Sequence, residues 1–240
     1  MDEAIVLCGG LGSRLRSVVS DRPKPMAPIG GRPFLEYLLE FLRLQGVRRV
    51  ILAVGYKREM ISDHFGARWD GLDIDYAVET EPLGTGGGTR LAVERLQTDT
   101  ALLLNGDSFL ARPVAPLEQA LTGADLVLTV RSEPDTGRFG VCEVEAGRVT
   151  GFGPGAPGQP GLINAGVYAL RRNLFDGFAL PAAFSLEQDF LSPFVGRLRV
   201  GAVVSNEPFI DIGLPESYAL AQDFVPAASR SAAERAQDET

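Results

Sequence analysis

Histidine is almost missing from this chain of 240 residues: His64 is the sole one. Ser-His-Asp and Cys-His machinery is therefore excluded unless His64 serves it. His64 falls in 59–65, a short polar stretch with helical character, where a surface role is expected. Cysteine is scarce too. Cys8 and Cys142 have no metal-ligand spacing. Cys8 follows an apolar run and is expected to be a small buried packing residue, not a nucleophile. No apolar run approaches the length of a membrane span, and the N-terminus lacks a signal-peptide pattern. The expectation is a cytoplasmic protein without membrane contacts. Basic residues are the minority, 23 against 31 acidic ones, for a net charge of -8. Broad nucleic-acid binding usually leaves a basic footprint and is not expected here. Any anionic ligand must be met by a local cluster of cations.

What is present begins with glycine. An apolar run, 4–7, reads as a first β-strand. Leu7-Cys8-Gly9-Gly10-Leu11-Gly12-Ser13-Arg14-Leu15-Arg16 follows, and then Arg22-Pro23-Lys24-Pro25-Met26. Glycines let the backbone approach a ligand with its N–H groups free. Arg14 and Lys24 add two cations, and the prolines around Lys24 stiffen its loop. Backbone amides plus two cations suit a polyphosphate. The sequence lacks the Gly-Lys-Ser/Thr of a P-loop. Counting from Gly10, the third glycine of a Rossmann loop is replaced by Leu15. A plain strand-to-helix turn would explain the glycines but not the cations.

Apolar runs alternate with helical patterns, which predicts βαβ units and a mostly parallel sheet. Strands are expected at 4–7, 49–54, 74–78, 101–104 and 126–130. A helix is expected over 34–45, where Phe34, Leu38, Phe41, Leu42 and Gln45 share a face before Gly46. A second is expected over 86–96. Segments 140–144 and 148–152 read as a hairpin, 162–169 and 198–204 as strands, and 215–224 as a closing helix. The Gly/Pro-rich stretch 151–161 is expected to be a mobile loop. It either orders over a substrate or lies idle on the surface. The small, polar, charged tail 226–240 is expected to be frayed, leaving one domain over 1–225.

Two aspartates close apolar runs, Asp107 in Asn105-Gly106-Asp107 and Asp211 in Asp211-Ile212-Gly213. Carboxylates at the C-terminal edge of an α/β sheet lie where ligands bind. A hard cation such as Mg²⁺ takes such oxygens together with phosphate and water. The alternative is that each merely caps a turn. A second glycine cluster, Glu81-Pro82-Leu83-Gly84-Thr85-Gly86-Gly87-Gly88, would let the backbone lie along a flat base. It would equally serve as a strand-to-helix connection with Thr85 as N-cap.

The run Gly-Gly-x-Gly-x-Arg-Leu followed by Pro-Lys-Pro-Met resembles the sugar-1-phosphate nucleotidyltransferases. From Ala4 through Gly86 the chain is most similar to the D-glycero-D-manno-heptose 1-phosphate guanylyltransferases. The similarity extends to about Phe224. It implies a single Rossmann-like, GT-A-like α/β domain, with a mostly parallel mixed sheet and helices on both faces. It also implies GTP and a sugar 1-phosphate as substrates, Mg²⁺ as cofactor, and an activated heptose for a surface polysaccharide as product. A homo-oligomer is compatible with it. By this resemblance Leu7, Gly9, Gly10, Gly12, Ser13 and Arg14 hold the nucleotide. Glu81, Gly84, Thr85 and Gly86 meet the base. Gly140, Asn164 and Glu187 face the sugar, and Asp107 and Asp211 share the metal. Arg14, Lys24 and Asp107 are the implied catalytic set. An Asn amide both donates and accepts, as sugar hydroxyls require. Glu187 reads equally as a charge complementing a helix N-terminus.

Two departures stand out. Relatives carry a Glu-Lys pair after the position of Phe152, where this chain has Gly153-Pro154. Leu214 stands where threonine usually follows the Asp-Ile-Gly motif. Rival readings are a transferase for UTP or dTTP with another sugar phosphate, a nucleotide-sugar sensor, and a glycosyltransferase. The last needs an Asp-x-Asp metal motif. Asp73-Ile74-Asp75 has that spacing but lies in an alternating strand expected to face solvent.

Overall fold

The structure is a computed structural model that describes residues 1–10, 15 and 18–238, with side chains described through Arg235. Gly12, Ser13 and Arg14 lie outside the described residues.

The chain opens with strand β1 (Glu3–Leu7), a 3-10 turn at Lys24–Met26, and a small hairpin, β2 (Pro28–Ile29) and β3 (Arg32–Pro33). Helix α1 (Phe34–Leu44) leads to β4 (Arg49–Val54), and α2 (Glu59–Phe65) to the ribbon β5 (Arg68–Trp69) and β6 (Leu72–Val78). Helix α3 (Gly84–Val93) precedes β7 (Thr100–Asn105) and the short β8 (Ser108–Leu110). After α4 (Ala115–Leu121) come β9 (Leu126–Glu133), β10 (Gly140–Glu145), β11 (Arg148–Pro154) and β12 (Gly161–Arg171). A π-helical turn at Leu186–Leu191 runs into α5 (Ser192–Phe194). Strands β13 (Val200–Val204) and β14 (Phe209–Asp211) and helix α6 (Pro215–Asp238) complete the chain.

Among the described residues one ten-stranded sheet has the order β10-β11-β13-β9-β12-β7-β1-β4-β6-β5. Strands β7, β1, β4 and β6 form an unbroken parallel block. On the other side β12 runs antiparallel to both β7 and β9, while β13 returns parallel to β9. The sheet is therefore mixed, with β5, β11 and β12 running against the rest. β1 shows why both faces are covered. Ala4 and Val6 point into one core with α1, α2, α4 and α6, and Ile5 points into the other with α3 and the π-helical turn. Near-continuous apolar runs such as Val50 to Val54, all buried, are what a sheet covered on both faces demands.

Two expectations change. Residues 226–238 are helical, and Val225, Ala228, Ser229 and Ala232 are buried. Composition suggested fraying. However, alanine is the best helix former, and these small residues recur every three or four positions on the face that meets the core. The stretch 151–161 is not one loop: 151–154 belong to β11 and Gly161 opens β12. Both ladders supply backbone partners that compositional reasoning does not reveal. No described helix is long and apolar enough to cross a membrane.

Candidate active site

Parallel strands leave their C-terminal ends, and the loops after them, along one edge of the sheet. After β1, the Cys8 amide still donates to Ala53 O at 2.7 Å, and Gly9 and Gly10 follow beyond the strand. After β7, Gly106 N donates to Leu7 O at 3.0 Å. A Cβ at Gly106 would run into that same carbonyl, so the residue must be glycine for the two strand ends to touch. The next residue is Asp107.

Asp211 arrives beside it from far along the chain. β14 pairs antiparallel with β8, placing Asp211 opposite Ser108, and Ile212 N donates to Asp107 O at 2.9 Å. Both aspartates line one cavity of about 460 Å³. Burial and the charge of Asp107 push the Asp211 carboxyl above its ordinary value, opposed by the Gly213 amide, Lys24 and Arg138. The turn-capping alternative also holds for Asp211, because its Oδ1 accepts from Gly213 N. It does not hold for Asp107, whose Oδ2 instead receives Lys24 Nζ at 2.8 Å. Lys24 is 9% exposed and Asp107 38%. The Pro-Lys-Pro turn thus threads a buried ammonium to the rim of the cleft.

These groups suit a hard divalent cation. Two carboxylates, Asp211 at the end of β14 and Asp107 just before its partner strand β8, face each other with their charges in conflict. Among the described residues no three His, Cys, Asp or Glu side chains converge as a closed metal cage. The remaining ligands would be phosphate oxygens and water, as Mg²⁺ prefers.

On the other wall, the register of β12 against β9 shifts between Asn164 and Tyr168. Such an irregularity re-aims a side chain. Here it turns the Asn164 amide to donate to Glu187 Oε1 at 2.7 Å and to Tyr168 OH at 2.6 Å. Burial raises the Glu187 carboxyl above its usual range, and the Tyr168 and Asn164 hydrogen bonds oppose that rise. Glu187 does lie in the first turn of the π-helical segment. Its side chain nevertheless faces the cavity with Gly140 and Asn164.

The base-side loop differs most from its sequence reading. Gly84, Gly86, Gly87 and Gly88 are the first turns of α3, not an open platform. Gly86 N donates to Phe184 O at 2.9 Å, and a Cβ at Gly86 would enter the Phe184 ring. Thr85 is no N-cap; its hydroxyl accepts from Leu186 N at 2.9 Å. Glu81 is exposed. The carboxylate that stands between the two glycine segments is Glu79, just past β6. Its oxygens occupy the space where a Cβ of Gly9 or Gly88 would go, and it accepts from Leu83 N at 3.0 Å. Burial raises its carboxyl as well. The only sequence signal for Glu79 was its place one residue beyond a strand end.

Other groups drop out. Cys8 is 1% exposed, and burial pushes its thiol far above the ordinary value, so it offers no thiolate. His64 pairs with Glu36 at 2.8 Å, away from the cleft. Asp73 and Asp75 lie near the start of β6, at the opposite end from Glu79, and Asp75 is bound by Arg49 at 2.7 Å. Another cavity, of about 860 Å³, is remote from this edge. It lies by the end of α3 and the start of β7, where arginines and acids alternate.

Residues 3–227 match the nucleotidyl transferase family. The D-glycero-alpha-D-manno-heptose 1-phosphate guanylyltransferase of Aneurinibacillus thermoaerophilus is 42% identical over 92% of this chain and 96% of its own length. The enzyme of the same name from Campylobacter jejuni is 42% identical over 90% of this chain and 96% of its own. The crystal structure of HddC from Yersinia pseudotuberculosis superposes with a TM-score of 0.83 at 34% identity, covering 93% of this chain and 99% of that one. That protein has also been solved in complex with GMP-PN.

Proposed function

The chain belongs to the nucleotidyl transferase family, and from this we propose that it joins GTP to a sugar 1-phosphate, D-glycero-D-manno-heptose 1-phosphate, giving GDP-heptose and pyrophosphate. The observation that carries the reading is the meeting of Lys24, Asp107 and Asp211 at one cleft beside the glycine turn. The high identity to two heptose 1-phosphate guanylyltransferases along nearly their whole length supports the choice of substrates. The reaction takes place in the cytoplasm, where nucleoside triphosphates are made.

The chemistry needs no protein nucleophile. An oxygen of the sugar phosphate is already ionised and attacks the α-phosphorus in line as pyrophosphate leaves. Catalysis is then positioning and charge neutralisation. Gly9 and Gly10 carry the triphosphate along their backbone, and Lys24 neutralises charge at the α-phosphate. Asp107 and Asp211 would hold Mg²⁺, which supplies Lewis-acid neutralisation of phosphate charge. Arg14, Gly12 and Ser13 are assigned to the triphosphate by motif alone. Glu79 is the base-reading group: guanine presents an N1–H and an amine, and a carboxylate accepts from both. Gly140 and Glu187 face the sugar, with Asn164 orienting the carboxylate.

Pyrophosphate release across a panel of nucleoside triphosphates and sugar 1-phosphates tests the reading. GTP with the heptose phosphate is expected to give the highest kcat/KM. A preference for UTP or dTTP with a hexose phosphate would overturn the substrate assignment. Lys24→Ala should lower turnover by about two to four decades, as for loss of a transition-state donor. A nearly normal rate would remove Lys24 from the mechanism.

A further inference from the structure

We propose that Arg138 receives the phosphate of the incoming sugar 1-phosphate, held in place by a clasp between segments 135–139 and 155–159. The proposal rests on the function given above.

The cavity beside Asp107 and Asp211 has a charge problem. Three carboxylates line it, those of Asp107, Asp211 and Glu187, and Arg138 is the one cation among its described lining residues. Lys24 lies on the adjoining wall and is already engaged by Asp107. A phosphomonoester carries a charge of roughly -1.5 to -2 at neutral pH. Even with Mg²⁺ on the two aspartates, the phosphate would still meet the half-buried Glu187 side of the cavity, so a further cation on this wall offsets a real cost.

Arg138 is only loosely held, by a long ion pair with Asp211. Its Nη2 stands 4.0 Å from Asp211 Oδ2, beyond hydrogen-bond distance. Its guanidinium lies 5.4 Å from the centre of the Phe139 ring and makes no side-chain hydrogen bond among the described residues. The planar fork of arginine matches a phosphate with two parallel N–H bonds. On the facing strand, Gly153 and Pro154 offer no charge; Pro154 pairs in register with Gly140.

The loop that carries Arg138 is not left loose. Thr136 is 1% exposed. Its amide and hydroxyl both reach Gln159 O, at 3.0 and 2.9 Å, and its hydroxyl accepts from Ala156 N at 3.1 Å. Asp135 Oδ1 accepts from Gly137 N at 2.9 Å and from Gly158 N at 3.0 Å. Gly155 N closes the clasp on Phe139 O at 3.0 Å. A Cβ at Gly155 would strike the carbonyls of Thr136 and Phe139, so glycine is required for the two segments to lie this close. The Gly/Pro stretch thus presents Arg138 on a braced support.

The test is steady-state kinetics of Arg138→Ala, Arg138→Lys and Thr136→Val, with each substrate varied in turn and thermal melting as the fold control. For Arg138→Ala, the KM for the sugar 1-phosphate should rise about ten- to a hundredfold, the worth of a charge-assisted hydrogen bond, while the KM for GTP stays nearly constant. Arg138→Lys should recover part of that loss. Thr136→Val should raise the same KM by a smaller factor. An unchanged sugar-phosphate KM in a folded Arg138→Ala protein, or an equal rise in the KM for GTP, overturns the assignment. Failure of the unsubstituted enzyme to release pyrophosphate with any sugar 1-phosphate would instead overturn the function on which it rests.

Discussion

On the side of the cleft we assign to the nucleotide, the proposed groups stand one or two residues past strands of the parallel block: Gly9 after β1, Glu79 after β6, Asp107 after β7. On the side we assign to the sugar they come from an irregular β12, a π-helical turn and a two-loop clasp, and each depends on a partner far away in sequence. Asn164 orients Glu187 across 23 residues, and Gly155 supports the loop of Arg138. A parallel block fixes where its strand ends lie, so one short motif can place a ligand group there. An antiparallel half needs register shifts and side-chain pairs to do the same.

The comparison predicts unequal consequences. The largest belongs where the halves meet. Asp107→Asn and Asp211→Asn should each lower turnover by about three decades or more, and chelation of divalent ions should do likewise, since each removes charge neutralisation at the phosphates. Pyrophosphate release measures this. If only one substitution mattered, the two acids would not act as a pair.

A smaller effect is expected at the base. In Glu79→Gln the carboxylate loses one of its two acceptor oxygens. kcat/KM for GTP should fall about ten- to a hundredfold and the preference over UTP should narrow, as when a substrate donor is left unpaired. Competition assays with paired nucleotides read this out. An unchanged preference would return base recognition to backbone groups.

The smallest effect is on stability, at Glu187. Burial raises its folded value above the ordinary 4.5. The folded state therefore holds the proton more tightly than the unfolded chain. The stability gained this way is present at low pH and is lost as pH rises from 4.5 through the folded value. Glu187→Gln carries no such titration. Its melting temperature should gain on that of the unsubstituted protein as pH rises through this window. A constant difference would mean that Glu187 does not feel its burial.

The same contrast explains what the sequence made readable. Strand ends, the Pro-Lys-Pro turn and both aspartates follow contiguous patterns, and the structure brings Lys24, Asp107 and Asp211 together. Glu79 is hard to read from sequence because its one local signal is a place just past a strand end, while Gly9 and Gly88, which make room for it, are distant in sequence. Gly86 and Gly87 read as a base platform but fill the space left by Phe184 and Ala182. The clasp was invisible because composition predicts looseness wherever glycine and proline accumulate, whereas Thr136 and Asp135 bind that backbone from another loop. The helical tail is illegible for the related reason that small residues look solvated until a core face is found for them.

The central claim is that Asp107 and Asp211 act on one ion at the phosphates. Anomalous diffraction from a crystal grown with Mn²⁺ and a non-hydrolysable GTP analogue tests it directly. One peak within coordination distance of both carboxylates and of a phosphate oxygen is the predicted result. An ion that touches the triphosphate while either aspartate stays out of reach would contradict it.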